Sequence, residues 1–232
     1  MKFSIVIPVY NEGNNLNLLV KKINFYLKKY KYEIIIVDDS SNDDSKNILK
    51  KLKKKFKNIK VIFRKKKPRD LSKSCSEGFE IAKFDYILVM DGDLQHNPKY
   101  IPEMVLKFKK NNCDFVIGAR NLIKKRVKSL SFFRQSSSFI MIKFFDFIFG
   151  KKTIDPMSGF FLFKKKIYIR NKKKLFLKGF KILADLIYSE KNFNIRDIVI
   201  KFDYRKKGES KLNFKILLIL SNFIIYRLLK NL

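Results

Sequence analysis

Tyr86-Ile87-Leu88-Val89-Met90-Asp91-Gly92-Asp93-Leu94-Gln95-His96 is an apolar run of strand length that stops at two carboxylates one residue apart, with a side-chain amide two residues further on. In a parallel α/β sheet, ligands gather beyond the carboxyl ends of the strands, which puts these groups where chemistry is expected. Oxygen ligands this close together suit Mg2+ or Mn2+, ions that bind few protein groups and keep positions open for phosphates. Gly92 lets a pyrophosphate come close to the backbone. Standing alone, the same letters also describe a solvated acidic turn, so the rest of the chain has to decide between the two.

Outward from this stretch, strand-like and helix-like runs alternate. Phe3 to Val9 reads as a strand, and Leu16, Leu19, Val20, Ile23 and Leu27 mark one face of a helix. Tyr32 to Val37 is a second strand, ending in Asp38-Asp39-Ser40-Ser41-Asn42-Asp43, where Asp43 or Ser45 is placed to cap a helix running to about Phe56. Ile59 to Phe63 gives a third strand and Leu71 to Ala82 another helix. After the opening stretch come a helix from near Pro98 and a strand at Phe115-Val116-Ile117 that leads into Gly118-Ala119-Arg120. This alternation predicts an α/β fold: a mostly parallel sheet with helices on both faces and right-handed crossovers.

A chain of 232 residues with 46% hydrophobic and 32% charged residues holds one such domain with a full core. Lys and Arg number 53 against 21 Asp and Glu, a formal net charge of +32, which attracts phosphates in nucleotides, lipid headgroups or nucleic acid. The abundance of Lys, Asn, Ile and Phe beside scarce Ala, Gly and Trp is also what an AT-biased genome produces. On that reading the runs Lys50 to Lys57, Arg64 to Lys67 and Lys164 to Lys166 are mostly solvated faces. A nucleic-acid binder would concentrate basic and aromatic residues on one element, whereas here the lysines are spread and the acidic loops repel a phosphate backbone, so no nucleic-acid partner is expected. Cys75 and Cys113 offer neither a disulfide framework nor a metal-ligand spacing, which suits a reducing compartment. The opening apolar run stops at a turn with no cleavage-site pattern, so the N-terminus is expected to belong to the fold.

Two later segments change the texture. Phe139 to Phe149 is apolar apart from Lys143 and Asp146, too short to span a bilayer, and fits either a buried helix or one lying at a membrane interface. Residues 212 to 232 form an apolar C-terminal helix bracketed by Lys211, Lys215, Arg227 and Lys230, which suits a segment resting on a membrane surface with its lysines at headgroups; packing on the core is the other reading. The domain is therefore drawn as 1–211, with 212–232 as a membrane-associated appendage.

Three loops converge at one sheet edge: Pro8-Val9-Tyr10-Asn11-Glu12, Asp38 to Asp43, and Asp91-Gly92-Asp93. In this order they resemble the family 2 glycosyltransferases of the GT-A fold. Gly118-Ala119-Arg120, Arg134 with Ser138, Asp155-Pro156-Met157-Ser158-Gly159-Phe160, and Arg205-Lys206-Lys207-Gly208-Glu209-Ser210-Lys211 are similar to the landmarks of dolichol-phosphate mannosyltransferases and related polyprenyl-phosphate glycosyltransferases. That resemblance implies that Pro8, Tyr10, Glu12, Val37 and Asp39 hold the base and ribose of a nucleotide sugar, and that Asp91, Asp93 and Gln95 carry Mg2+ or Mn2+ on its diphosphate, with Gly92 between them. It implies further that Arg120, Arg205 and Lys211 contact phosphates, that Arg134 and Ser138 form the acceptor-phosphate loop, and that Asp155 orients acceptor or sugar. Asp93, Arg120, Asp155 and Arg205 then form the catalytic set. The chain departs from relatives at Arg69-Asp70-Leu71-Ser72, where many have a glycine-rich turn.

The implied activity is transfer of a hexose, mannose from GDP-mannose first of all, to a polyprenyl phosphate at the cytoplasmic face of a membrane, with inversion at the anomeric carbon. UDP-glucose as donor, or a glycan as acceptor, stays open. An attacking lipid phosphate is already anionic, so positioning and charge compensation carry the reaction and the lone His96 is expected to be a local hydrogen-bonding residue.

Overall fold

The computed structural model describes residues 1–65, 68–120, 132–179, 182–202, 222–227 and 229; of 132–140 it describes the backbone alone. Two isoleucine- and valine-rich strands, β1 (Lys2–Val9) and β2 (Lys31–Asp38), lie side by side inside the sheet and are buried along nearly their whole length. Continuous apolar strands of this kind need helices on both faces. Those are supplied by α1 (Gly13–Tyr26), α2 (Ser45–Lys55) and α4 (Ile101–Lys110) on one side, and by α3 (Leu71–Ile81), α5 (Phe132–Phe149), α6 (Lys165–Asn171) and α7 (Ile182–Ile187) on the other. A 3-10 turn at Pro98–Tyr100 leads into α4, so the helix foreseen from Pro98 begins a turn later.

The remaining strands are β3 (Ile59–Phe63), β4 (Tyr86–Val89), β5 (Phe115–Arg120), β6 (Phe161–Lys164) and β7 (Ile195–Ile200), in the sheet order β3-β2-β1-β4-β6-β5-β7. Three of the six pairings could not be foreseen, because β6 and β7 left no distinct sequence signal. β6 runs antiparallel between β4 and β5, and β7 lies parallel on the outer side of β5. The sheet is thus mixed and mostly parallel. Its topology brings the ends of β1, β2, β4 and β5 and the start of the antiparallel β6 to a single edge.

The apolar segment before Gly150 is a helix with two characters: Ile142 and Phe145 are fully buried, while Phe147 is 88% exposed. The helical segment 222–227 docks beside it, with Phe223 5.8 Å from Phe145 and buried. The rest of 212–232 lies outside the described residues. No helix among the described residues is long and apolar enough to cross a membrane.

Candidate active site

The loops after β1 and β2 are stitched to each other. The Asn11 amide donates to Ser41 Oγ (2.9 Å), the Asn42 amide donates to Asn11 Oδ1 (3.0 Å), and the Asp39 amide donates to the Val9 carbonyl (2.8 Å). Asn11 and Ser40 sit at φ 56° and 61°, the left-handed region that Asn tolerates better than most side chains. Glu12 is buried and accepts from Asn15 Nδ2 (2.7 Å), while its amide donates to Ser45 Oγ (3.2 Å). Asp43 accepts from the Ser45 amide and the Gly13 amide, 3.0 Å each, so it serves the starts of two helices, one more than the cap foreseen. Burial works to raise its pKa, but these hydrogen bonds outweigh it and hold the carboxyl below its ordinary value. Pro8 and Val37 face each other in the β1–β2 register and are buried at the root of the loops.

Asp39 is buried in an ion pair with Arg64, and its second oxygen accepts the Asp70 amide (2.7 Å). Arg64 also donates to Glu77 Oε1 (2.9 Å) and Ser74 Oγ (3.2 Å). Within the basic run expected to be solvated, this one residue is therefore interior, drawn in by two carboxylates that the sequence places far away. Arg69, in the stretch that departs from relatives, lays its guanidinium 4.2 Å from the centre of the Tyr10 ring, a cation–π contact. Asp38, next to Asp39, is fully buried, and its Oδ1 has no hydrogen-bond partner among the described residues.

Past β4, the Asp91 carboxylate rests against Gly159. A Cβ at Gly159 would lie 2.4 Å from Asp91 Oδ2, so only glycine leaves the carboxylate where it is. Asp93 accepts the Gln95 amide through Oδ1 (3.1 Å), and both side chains are largely buried. His96 stacks on Phe160 at 5.3 Å and meets Phe202 edge-on at 5.2 Å. Its Nδ1 lies 3.5 Å from Asp91 Oδ2, within ion-pair range, yet the ring is neutral: burial first, then the Arg120 cation, pull its pKa down to about 3. Its Nδ1 makes no hydrogen bond among the described residues, so at that atom the expected hydrogen-bonding role gives way to ring packing.

Arg120 and Asp155 meet as one bidentate pair, Nε to Oδ2 at 2.7 Å and Nη2 to Oδ1 at 3.0 Å, with the Arg120 amide adding a bond to Oδ2 (3.2 Å). Burial alone would lower the Arg120 pKa; the Asp155 charge and hydrogen bonds, with Asp91 further off, push it up. Behind Asp155 stands a chain the sequence did not disclose. The Asp155 amide donates to Thr153 Oγ1 (3.3 Å), and Thr153 in turn donates to Asp197 on β7. Ser158 pins the turn by donating to the Gly118 carbonyl (2.7 Å).

Asp91 and Asp93, with the Gln95 amide, fit a hard divalent ion in their chemistry, and the glycine cradle keeps Asp91 in place for one. Among the described residues no three His, Cys, Asp or Glu side chains gather to hold a metal by themselves, so such an ion would take its other ligands from substrate phosphate and water. Arg134 and Ser138 lie on α5 where only the backbone is described, and Arg205 and Lys211 lie outside the described residues.

Residues 4–171 match glycosyl transferase family 2. The chain is 36% identical over 232 residues to a dolichol-phosphate mannosyltransferase of Pyrococcus furiosus, covering 99% of this chain and 64% of that protein. It is 30% identical to the dolichol-phosphate mannosyltransferase of Saccharomyces cerevisiae, over 94% of this chain and 84% of that one. Among solved structures, glucosyl-3-phosphoglycerate synthase of Mycobacterium tuberculosis in complex with Mn2+, UDP-glucose and phosphoglyceric acid superposes with a TM-score of 0.69. That likeness covers 99% of this chain and 79% of that one at 15% identity, and so speaks to the fold.

Proposed function

We propose, from the premise that this chain belongs to glycosyl transferase family 2, that it transfers mannose from GDP-mannose to the phosphate of a polyprenol, inverting the anomeric carbon, at the cytoplasmic face of a membrane. The observation that carries this reading is the gathering of Asp39, Asp91 and Asp93 at one sheet edge beside the buried cation Arg120. The acceptor follows from similarity along 99% of the chain to an enzyme named for dolichol phosphate.

In this reading Asp39, braced by Arg64, receives the ribose, with Tyr10, Glu12, Pro8 and Val37 forming the surrounding wall. Asp91, Asp93 and Gln95 hold Mg2+ or Mn2+, which when bound neutralises charge on the departing diphosphate. Arg120, fixed in direction by Asp155, presents a permanent cation beside Asp91 for phosphate oxygens. Arg205 and Lys211 add further phosphate contacts, and Arg134 with Ser138 takes the acceptor phosphate. The nucleophile is a phosphate oxygen that is already anionic, so no general base is needed and His96 is left as a neutral ring packed between Phe160 and Phe202. The exposed Phe144 and Phe147 on α5 give that side of the molecule an apolar surface for the lipid.

Purified protein with Mn2+, radiolabelled GDP-mannose and a polyprenyl phosphate is expected to yield labelled lipid, and Asp91→Ala to abolish it. Transfer that survives Asp91→Ala would overturn the site, and transfer from UDP-glucose in place of GDP-mannose would change the donor.

A further inference from the structure

The donor-side carboxylate Asp39 is tied to the last described helical segment of the chain by a series of polar contacts joined through the backbone turn 177–179. Asp185 on α7 is buried and accepts the amides of Phe176 (3.1 Å) and Leu177 (2.9 Å). Those two bonds hold Leu177 at φ 49°, a left-handed backbone that a leucine rarely adopts. The turn then places Gly179, at φ 80°, where its amide donates to Asp70 Oδ2 (2.7 Å) and its carbonyl accepts the Ser72 amide (2.8 Å). Asp70 uses its other oxygen to cap α3 through the Lys73 amide (3.1 Å), and its own amide donates to Asp39.

At the far end, Arg227 of the segment 222–227 is buried against α7. It donates to the Asp185 carbonyl (2.6 Å) and pairs with the Asp185 carboxylate. Tyr226 of the same segment packs on Phe176, 5.2 Å between ring centres, and donates to the Lys174 carbonyl (3.3 Å). Both ends of the 175–179 turn are thus gripped, one by the C-terminal segment and the other by the residue that orients Asp39.

A cover over the apolar face would need only the side chains of Phe223 and Ile224. The charged pair under them and the left-handed leucine it supports have a different consequence, which is to fix where the Asp70 amide stands. We infer that Arg227 and Asp185 are positioning residues for the nucleotide half of the donor site, so that nucleoside diphosphate binding and docking of the C-terminal segment favour one another. The inference rests on the reading that Asp39 receives the nucleotide. By linkage the coupling runs both ways with equal strength.

Two measurements on the full chain test it. Calorimetric titration with GDP, and separately UDP, each with Mn2+, is expected to give about 5–150-fold weaker binding for Arg227→Met, the usual span of such couplings. Asp185→Asn should behave likewise, and Arg227→Lys should recover part of the affinity. In transfer assays the loss should appear in KM for the donor far more than in kcat. In the unmutated protein, which no folding defect can confuse, the nucleotide should slow hydrogen exchange at the amides of Phe176, Leu177 and Gly179. Unchanged affinity in a folded Arg227→Met, or unchanged exchange at those amides while nucleotide binds, would overturn the coupling alone. If the unmutated chain binds neither nucleotide, or if Asp39→Ala binds as well as it does, the donor-site reading falls and the inference with it.

Discussion

Two buried arginine–aspartate pairs flank the Asp91 loop, and they are built differently. Arg120 and Asp155 form a closed pair: both carboxylate oxygens face the guanidinium, and the Arg120 amide adds a third bond. Arg64 and Asp39 form an open one. Asp39 gives one oxygen to Arg64 and the other to the Asp70 amide, while Arg64 divides itself between Asp39, Ser74 and Glu77, whose side chain is 37% exposed. Among the described residues the first arginine makes its charged hydrogen bonds to Asp155, with Asp91 only further off. The second has an alternative that reaches solvent, so the loss of its main partner leaves it hydrogen-bonded.

That contrast sets the order of expected effects. Asp155→Ala strands a desolvated guanidinium and should cost about 3–5 kcal/mol, a fall in Tm of roughly 10 °C for a domain of this size; a fall under a few degrees in a thermal melt would show that Arg120 finds another anion. Gly159→Ala should act on the site rather than the fold. The nearest atoms the new Cβ meets are the movable end of Asp91, so the carboxylate shifts by about an ångström and glycosyl transfer should drop about 100-fold with little change in Tm. Asp39→Ala should cost about 2 kcal/mol of stability, because Arg64 keeps Glu77 and Ser74; a loss equal to that of Asp155→Ala in urea denaturation would erase the distinction between the pairs.

The open pair and the closed one were not equally visible in the chain. Asp39, Asp91 and Asp93 follow apolar strands directly, and hydrophobic periodicity is enough to bring such loops to one edge of a parallel sheet. Arg120 could be located by the same logic at the end of β5. Its partner could not be paired with it, since Asp155 arrives on a loop whose strand, β6, has four residues and runs the other way. Arg64 was hidden for another reason: it opens a basic run, and composition cannot single out a member that two remote carboxylates draw inside. Gly159 stood in a motif that marked it, yet its purpose is a contact with Asp91 that no local pattern encodes. Periodicity reports which face of an element is buried, whereas the identity of the neighbour on that face is decided by the crossovers.

The smallest effect expected concerns the carboxylate behind the closed pair. Asp197 accepts from Thr153 and from the Ile154 amide (3.1 Å), and Thr153 links it to Asp155. Burial first, and the nearby Asp155 charge as well, raise its pKa above the ordinary 3.8, although its hydrogen bonds oppose this. With the folded pKa raised, the unfolded chain ionises first as pH climbs, so the native state holds more protons in the window just above 3.8 and loses relative stability there. Asp197→Asn removes that titration while keeping an acceptor for Thr153. The stability of the native chain relative to Asp197→Asn should therefore fall as the pH rises through the window just above 3.8, read as the difference in urea midpoints. A difference that instead grows with pH would mean that the hydrogen bonds from Thr153 and Ile154 outweigh burial and hold Asp197 as a stabilised anion.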